Sequence, residues 1–118
     1  MIEKKMLLWL DDIRNPFSGD WLKRFASSFD KKQVIWVKDY QAFCNWIIEN
    51  GLPSKVAFDH DLGEGSKSGY DAAKWLVNYC QDNQLKLPEW CIQSANPVGR
   101  ENIDALLSNY VKFVEKYY

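Results

Sequence analysis

The sequence predicts an α/β fold: a doubly wound parallel sheet of about four to five strands in the order 2-1-3-4(-5). Three observations carry this. Short apolar runs without polar alternation, such as Met6–Leu10 and Val56–Phe58, have the composition of strands buried on both faces. Segments with apolar residues at helical spacing separate them. Each crossover also exceeds the roughly 12 residues that a parallel connection needs. At 118 residues, 47% apolar and 26% charged, the chain has the size and balance of one globular domain spanning residues 1–118.

Taken in order, Met6–Leu10 is the first strand, and it closes on Asp11-Asp12. Asn15-Pro16 and Ser18-Gly19 break the chain before a first helix with Trp21, Leu22, Phe25 and Phe29 on one face. Val34–Val37 is the second strand. Asp39 caps a second helix with an inner face of Phe43, Trp46 and Ile47; Asn50-Gly51 ends it and Pro53 prevents its continuation. Val56–Phe58, the third strand, closes on Asp59, His60 and Asp61. After the polar loop Gly63–Gly69, a third helix from about Tyr70 to Asn83 buries Ala73, Leu76, Val77 and Cys80. Trp90–Gln93 is the fourth strand, ending at Ser94. Asn96-Pro97 opens a last helix with Ile103, Leu106, Leu107, Tyr110, Val114 and Tyr117 on its apolar face. Val111–Val114 is the alternative fifth strand, but the spacing from Ile103 onward fits a helix better. The six tryptophans read as core and cover.

Composition excludes several classes. The formal net charge of −1 gives no overall basic field, and the pairs Lys4-Lys5 and Lys31-Lys32 are too short to track a phosphate backbone, so no extended nucleic-acid surface is expected. The three cysteines, Cys44, Cys80 and Cys91, lie in apolar segments without zinc spacing and read as buried thiols of a reducing compartment. Met6–Leu10 is too short for a signal peptide and ends in two aspartates. No run approaches the ~20 apolar residues of a membrane span. The expectation is a cytoplasmic protein with no membrane partner.

The strand order brings Asp11, Asp12 and Asp59 together at the carboxyl edge, where open α/β sheets bind ligands. Carboxylates so close repel one another, and either protonation or a divalent cation relieves the repulsion. Hard oxygen ligands with no sulfur and at most one imidazole point to Mg²⁺, Mn²⁺ or Ca²⁺ and not to zinc, with Mg²⁺ or Mn²⁺ preferred. Across the edge, Asn96 is an N-cap, and the N–H groups of Val98 and Gly99, with Arg100 one step on, make an anion-binding terminus. Ser94 adds a hydroxyl. His60, the only histidine, points away from Asp59 and Asp61 if the strand persists; its readings are general acid or base, metal ligand, or a ring packed under the loop.

Two acids after the first strand, an Asp after the third and a Ser after the fourth resemble a response-regulator receiver domain, of flavodoxin-like fold. That resemblance implies Mg²⁺ at the acids and phosphoryl transfer to Asp59. A receiver also has a fifth strand ending in a lysine, whereas Lys112 and Lys116 lie in the last helix. The fuller strings L-W-L-D-D-I-R-N-P, D-H-D-L-G, G-Y-D-A-A-K-W-L and S-A-N-P-V-G-R-E-N, spread from Leu7 to Leu107, are similar to the receiver-like family named for cyclic-phosphate processing. Arg14, His60, Asp61, Asn96 and Arg100 are the motif positions that a plain receiver does not share. In the family pattern a histidine precedes the Ser of S-x-N-P; here that position is Gln93.

The resemblance implies metal-assisted opening of a cyclic phosphodiester, in a cyclic nucleotide or at an RNA 2′,3′-cyclic phosphate end. Asp11, Asp12 and Asp59 would hold the metal. Ser94, Asn96, Gly99, Arg100 and Arg14 would bind phosphate, with Ser94 and Arg100 stabilising developing charge and His60 moving a proton. The alternatives are a phosphoacceptor switch at Asp59, and a non-catalytic module that captures a cyclic nucleotide or docks on a protein partner.

Overall fold

The computed structural model describes residues 5–63 and 65–117. Four strands, β1 (Leu7–Leu10), β2 (Val34–Val37), β3 (Lys55–Phe58) and β4 (Glu89–Ile92), form one parallel sheet in the order β2-β1-β3-β4. Leu10 lies opposite Val37 on one side and Phe58 on the other, and Phe58 lies opposite Ile92, so all strand tips finish level. The helices are α1 (Trp21–Phe25), α2 (Tyr40–Asn50), α3 (Gly69–Asp82) and α4 (Pro97–Tyr117). This is the expected doubly wound α/β architecture with four strands among the described residues. The alternative strand at Val111–Val114 is corrected to helix, because α4 runs through it without a break. The described residues include no helix long and apolar enough to cross a membrane.

The two faces of the sheet are covered unequally. Leu8, Leu10, Val56 and Phe58 pack with Phe43, Cys44 and Ile47 of α2, Ala72, Ala73, Leu76 and Cys80 of α3, and Ile103, Leu107 and Tyr110 of α4. Trp9, Leu7 and Ala57 on the other face pack with Val34, Ala26 and Phe29, with partly buried Trp36 and Cys91 and the flank of α1 around them. Alternation along each strand therefore divides apolar side chains between a large core and a small one.

Local chemistry fixes the helix ends. The Asp39 carboxylate accepts from the Ala42 N–H at 2.8 Å, and α2 stops at Gly51, whose φ of +85° suits glycine. Ser68 and Asp71 form a reciprocal capping box on α3. The first helix is shorter than expected. It ends at Phe25 before Ser27-Ser28, residues that compete for the backbone's hydrogen bonds, and Phe29 reaches the small core from beyond it. A 3₁₀ turn (Lys31–Gln33), boxed by Asp30 and Gln33, then leads into β2. Gln93 lies just past β4. Of the residues placed on the last helix's apolar face, Tyr117 is 63% exposed, because α4 outruns the core it covers.

Candidate functional site at the carboxyl edge of the sheet

Backbone pairing continues one residue past the strand tips. The Asp11 N–H donates to the Val37 carbonyl at 3.1 Å, Asp59 to Leu10 at 3.0 Å and Gln93 to Phe58 at 3.0 Å. Asp11, Asp59 and Gln93 therefore stand abreast on three neighbouring strands, two residues beyond Trp9, Ala57 and Cys91 and on the same, α1, face. Asp11, Asp59 and Gln93 are all buried.

One carboxylate oxygen each from Asp11, Asp12 and Asp59 lies within 4.8 Å of the others. Arg14 reaches into this group: its Nη1 is 3.4 Å from Asp11 Oδ2 and 3.5 Å from Asp59 Oδ1, with the guanidinium over the Trp21 ring. The turn that returns Arg14 to the acids is made by Asp11 itself, whose Oδ1 accepts the N–H groups of Ile13 and Arg14 at 3.0 and 2.8 Å. Two indoles hold this loop. Trp36 donates to the Asp11 carbonyl at 2.7 Å and Trp9 to the Arg14 carbonyl at 3.0 Å. These tryptophans do more than the packing expected of them, and the signal for it is that a buried indole N–H requires an acceptor.

Burial pushes the Asp59 carboxyl up to about 7; repulsion from Asp11 adds to this, Arg14 opposes it, and Asp12 reinforces it by charge and by a hydrogen bond. Two buried acceptors, Asp12 Oδ1 and Gln93 Oε1, have no partner among the described residues. A hard divalent cation fits this donor set. The ligand atoms are oxygens, they are crowded, and buried lone pairs remain open.

The opposite flank is built around the start of α4. Asn96 caps this helix: its Oδ1 accepts the Gly99 N–H at 3.0 Å. The expected anion terminus is thereby narrowed, since the Gly99 N–H and the Asn96 carboxamide oxygen are spent on each other. Ser94 is buried, and its Oγ accepts from the Asn96 N–H at 3.1 Å, leaving the hydroxyl proton to donate. Arg100 does not join the acids. It is exposed and lines a groove beside β4 with Trp90, Cys91, Ile92, Glu101 and Asp104.

His60 leaves β3 on the face opposite Asp59, as its position in the strand requires. Its ring lies against Gly99, where any Cβ would overlap the imidazole, and its Nδ1 is 3.0 Å from Asp61 Oδ1. Asp61 is otherwise exposed and stands outside the acid cluster. Gly69 allows the start of α3 to press on the β3 tip, donating its N–H to the His60 carbonyl at 2.8 Å, and a Cβ there would run into the Asp59 carbonyl.

Residues 6–109 match the cyclic-phosphate processing receiver domain. The chain belongs to that family. A solved structure described as a yeast Spc42 trimeric coiled-coil segment fused to a second structure aligns with a TM-score of 0.55 at 17% identity, covering 98% of this chain and 85% of that one, which shows a shared fold. A comparison with curated proteins finds no match.

Within this cyclic-phosphate processing receiver domain the cation touching the acids is Arg14. Lys112 and Lys116 sit near the far end of α4, which starts at the carboxyl edge and spans about 30 Å. Gln93, at the family's histidine position, is tied to β1: its Nε2 donates to the Leu10 carbonyl at 3.0 Å and lies 3.4 Å from Asp11 Oδ2. Burial raises all three cysteine thiols, Cys80 and Cys91 to about 11, which favours the neutral thiol over the nucleophilic thiolate.

Proposed function

We propose that this receiver domain binds a cyclic phosphate at the carboxyl edge of its sheet and opens the ring with the help of a divalent cation, Mg²⁺ or Mn²⁺, held in the Asp11–Asp12–Asp59 cluster. The observation that carries the reading is the juxtaposition of crowded carboxylate oxygens, within 4.8 Å of one another, with the Ser94 hydroxyl and the start of α4 one strand away. Such a cation polarises a phosphoryl oxygen or activates water. Arg14 offsets part of the acids' charge and orients Asp11 and Asp59. The Ser94 O–H and the Val98 N–H face the phosphoryl oxygens, and His60, steadied through Nδ1 by Asp61, uses Nε2 to move the proton. Arg100 contributes to long-range attraction of the anion from its exposed position.

Incubation with 2′,3′-cyclic nucleotides and cyclic dinucleotides in Mn²⁺ or Mg²⁺ is expected to yield ring-opened phosphomonoester or linear product by mass spectrometry. Chelation should abolish it, and Asp59→Asn should reduce it at least about a hundredfold. An untouched panel with both metals overturns the hydrolytic reading. One observation favours capture without turnover as the second reading: the single imidazole is packed against Gly99 on the face opposite Asp59. Tight binding of a panel member with no product over hours would select it. The phosphoacceptor alternative predicts a mass increase of one phosphoryl group with a small phosphodonor, absent in Asp59→Asn.

A further inference from the structure

We infer that Gln93 supplies an oxygen to the cation and that Asp11 is the anchor of the cluster, not an open ligand. This rests on the cation reading above and sharpens which atoms would face the ion. The Asp11 carboxylate is already occupied on both oxygens. Oδ1 accepts two backbone N–H groups, from Ile13 and Arg14, while Oδ2 is approached at 3.4 Å by both Arg14 Nη1 and Gln93 Nε2. Four donors account for the lone pairs of a carboxylate, which accepts about four hydrogen bonds in all.

Gln93 presents the complementary case. Its residue is 3% exposed, and its Oε1 is a buried acceptor without a partner among the described residues. The identity of that atom follows from its surroundings. The other end of the carboxamide faces two acceptors, the Leu10 carbonyl and Asp11 Oδ2, so it must be the donating nitrogen. Flipping the amide would set oxygen against oxygen twice. An unfilled acceptor is costly when buried unless a donor or cation completes it, and this one belongs to a carboxamide whose nitrogen lies 3.4 Å from Asp11 Oδ2. Asp12 Oδ1 is orphaned in the same way. The open set is then Asp12, Asp59 and the neutral oxygen of Gln93, a hard-ligand combination of reduced formal charge.

The test is direct metal binding at pH 8, by titration calorimetry and by loss of the free Mn²⁺ signal in electron paramagnetic resonance. Gln93→Leu is expected to weaken Mn²⁺ binding at least about tenfold while leaving the circular dichroism spectrum unchanged. Gln93→His retains an N–H donor but exchanges oxygen for imidazole nitrogen, so the ratio of Zn²⁺ to Mn²⁺ affinity should rise at least about tenfold. A residue that merely tethers Leu10 would not move that ratio. If the wild type binds Mn²⁺ and both variants match it within twofold, with the ratio unmoved, the assignment of Gln93 falls and the cation reading stands. If the wild type itself binds neither Mn²⁺ nor Mg²⁺, both fall. Should Gln93→Leu fail to fold, the selectivity of Gln93→His decides alone.

Discussion

Asp59 is where burial and charge act most strongly on a single group. Its carboxyl is raised from 3.8 to about 7, first by burial and then by Asp11, against the pull of Arg14. Between those two values the folded chain holds a proton that the unfolded chain has released. Stability from this group is therefore lost as pH rises from about 4 to 7, and the full penalty stands above 7. In chelator, Asp59→Asn is expected to raise the melting temperature at pH 8, by an amount corresponding to on the order of 1–4 kcal/mol. The gain should shrink towards zero near pH 4. Thermal melts across that range check the sign, and a variant less stable than wild type at pH 8 contradicts it. Added Mn²⁺ should reverse the order, since a cation bound by the native state alone stabilises wild type by mass action. The meeting of Asp11, Asp12 and Asp59 is readable from sequence, because strand order alone brings their strand tips together. The saturation of Asp11 is not. It depends on how a two-residue turn aims Arg14, and on a Gln93 side chain that reaches across to a carbonyl of the sheet's first strand.

Among the elements, α4 contributes most to the shape of the site, through its first turn. Gly99 is buried against His60, and a Cβ there would come within 2.6 Å of the ring's Cδ2 and 2.9 Å of its Cβ. Replacing a helical glycine by alanine ordinarily gains up to about 1 kcal/mol. Here overpacking works the other way by about 1–3 kcal/mol, so Gly99→Ala should destabilise on balance. Denaturant titration measures this, and His60→Ala in the same background should recover most of the loss by vacating the space. Equal costs for Gly99→Ala with and without His60 would show that the contact is not the cause. The glycine looked like an anion-site residue because it follows Asn96-Pro97 at a helix start. The capping hydrogen bond and the packed ring are tertiary facts that spacing does not carry. The strands and the caps at Asp39 and Asn96 were readable because apolar runs and capping residues act locally. The early end of α1 was missed because Phe29 continues the apolar periodicity although the helix has already stopped.

At the scale of the whole molecule, the site straddles two halves of unequal strength. Its Ser94, His60 and α4 flank rests on the layer of α2, α3 and α4, whose buried side chains form the larger core. Its Arg14 and Trp21 flank rests on a five-residue helix with no fully buried residue, tied down by Phe29, Ala26 and the Lys55 ammonium that donates to the Phe25 carbonyl at 3.0 Å. Local opening free energies follow buried apolar contact, so the thin face should open first. Hydrogen exchange read by mass spectrometry is expected to show peptides across residues 14–33 exchanging well ahead of those from α2, α3 and the first half of α4. The order has a functional consequence. Arg14 rests on the thin face, so its pairing with Asp59 can change without disturbing the larger core, which is what a site must permit if a cation is to displace that ion pair. Saturating Mn²⁺ should then slow exchange across residues 11–25 more than across α4 beyond Ile103. Uniform slowing throughout the chain would point instead to global stabilisation, and equal exchange on both faces without metal would remove the asymmetry on which this expectation rests.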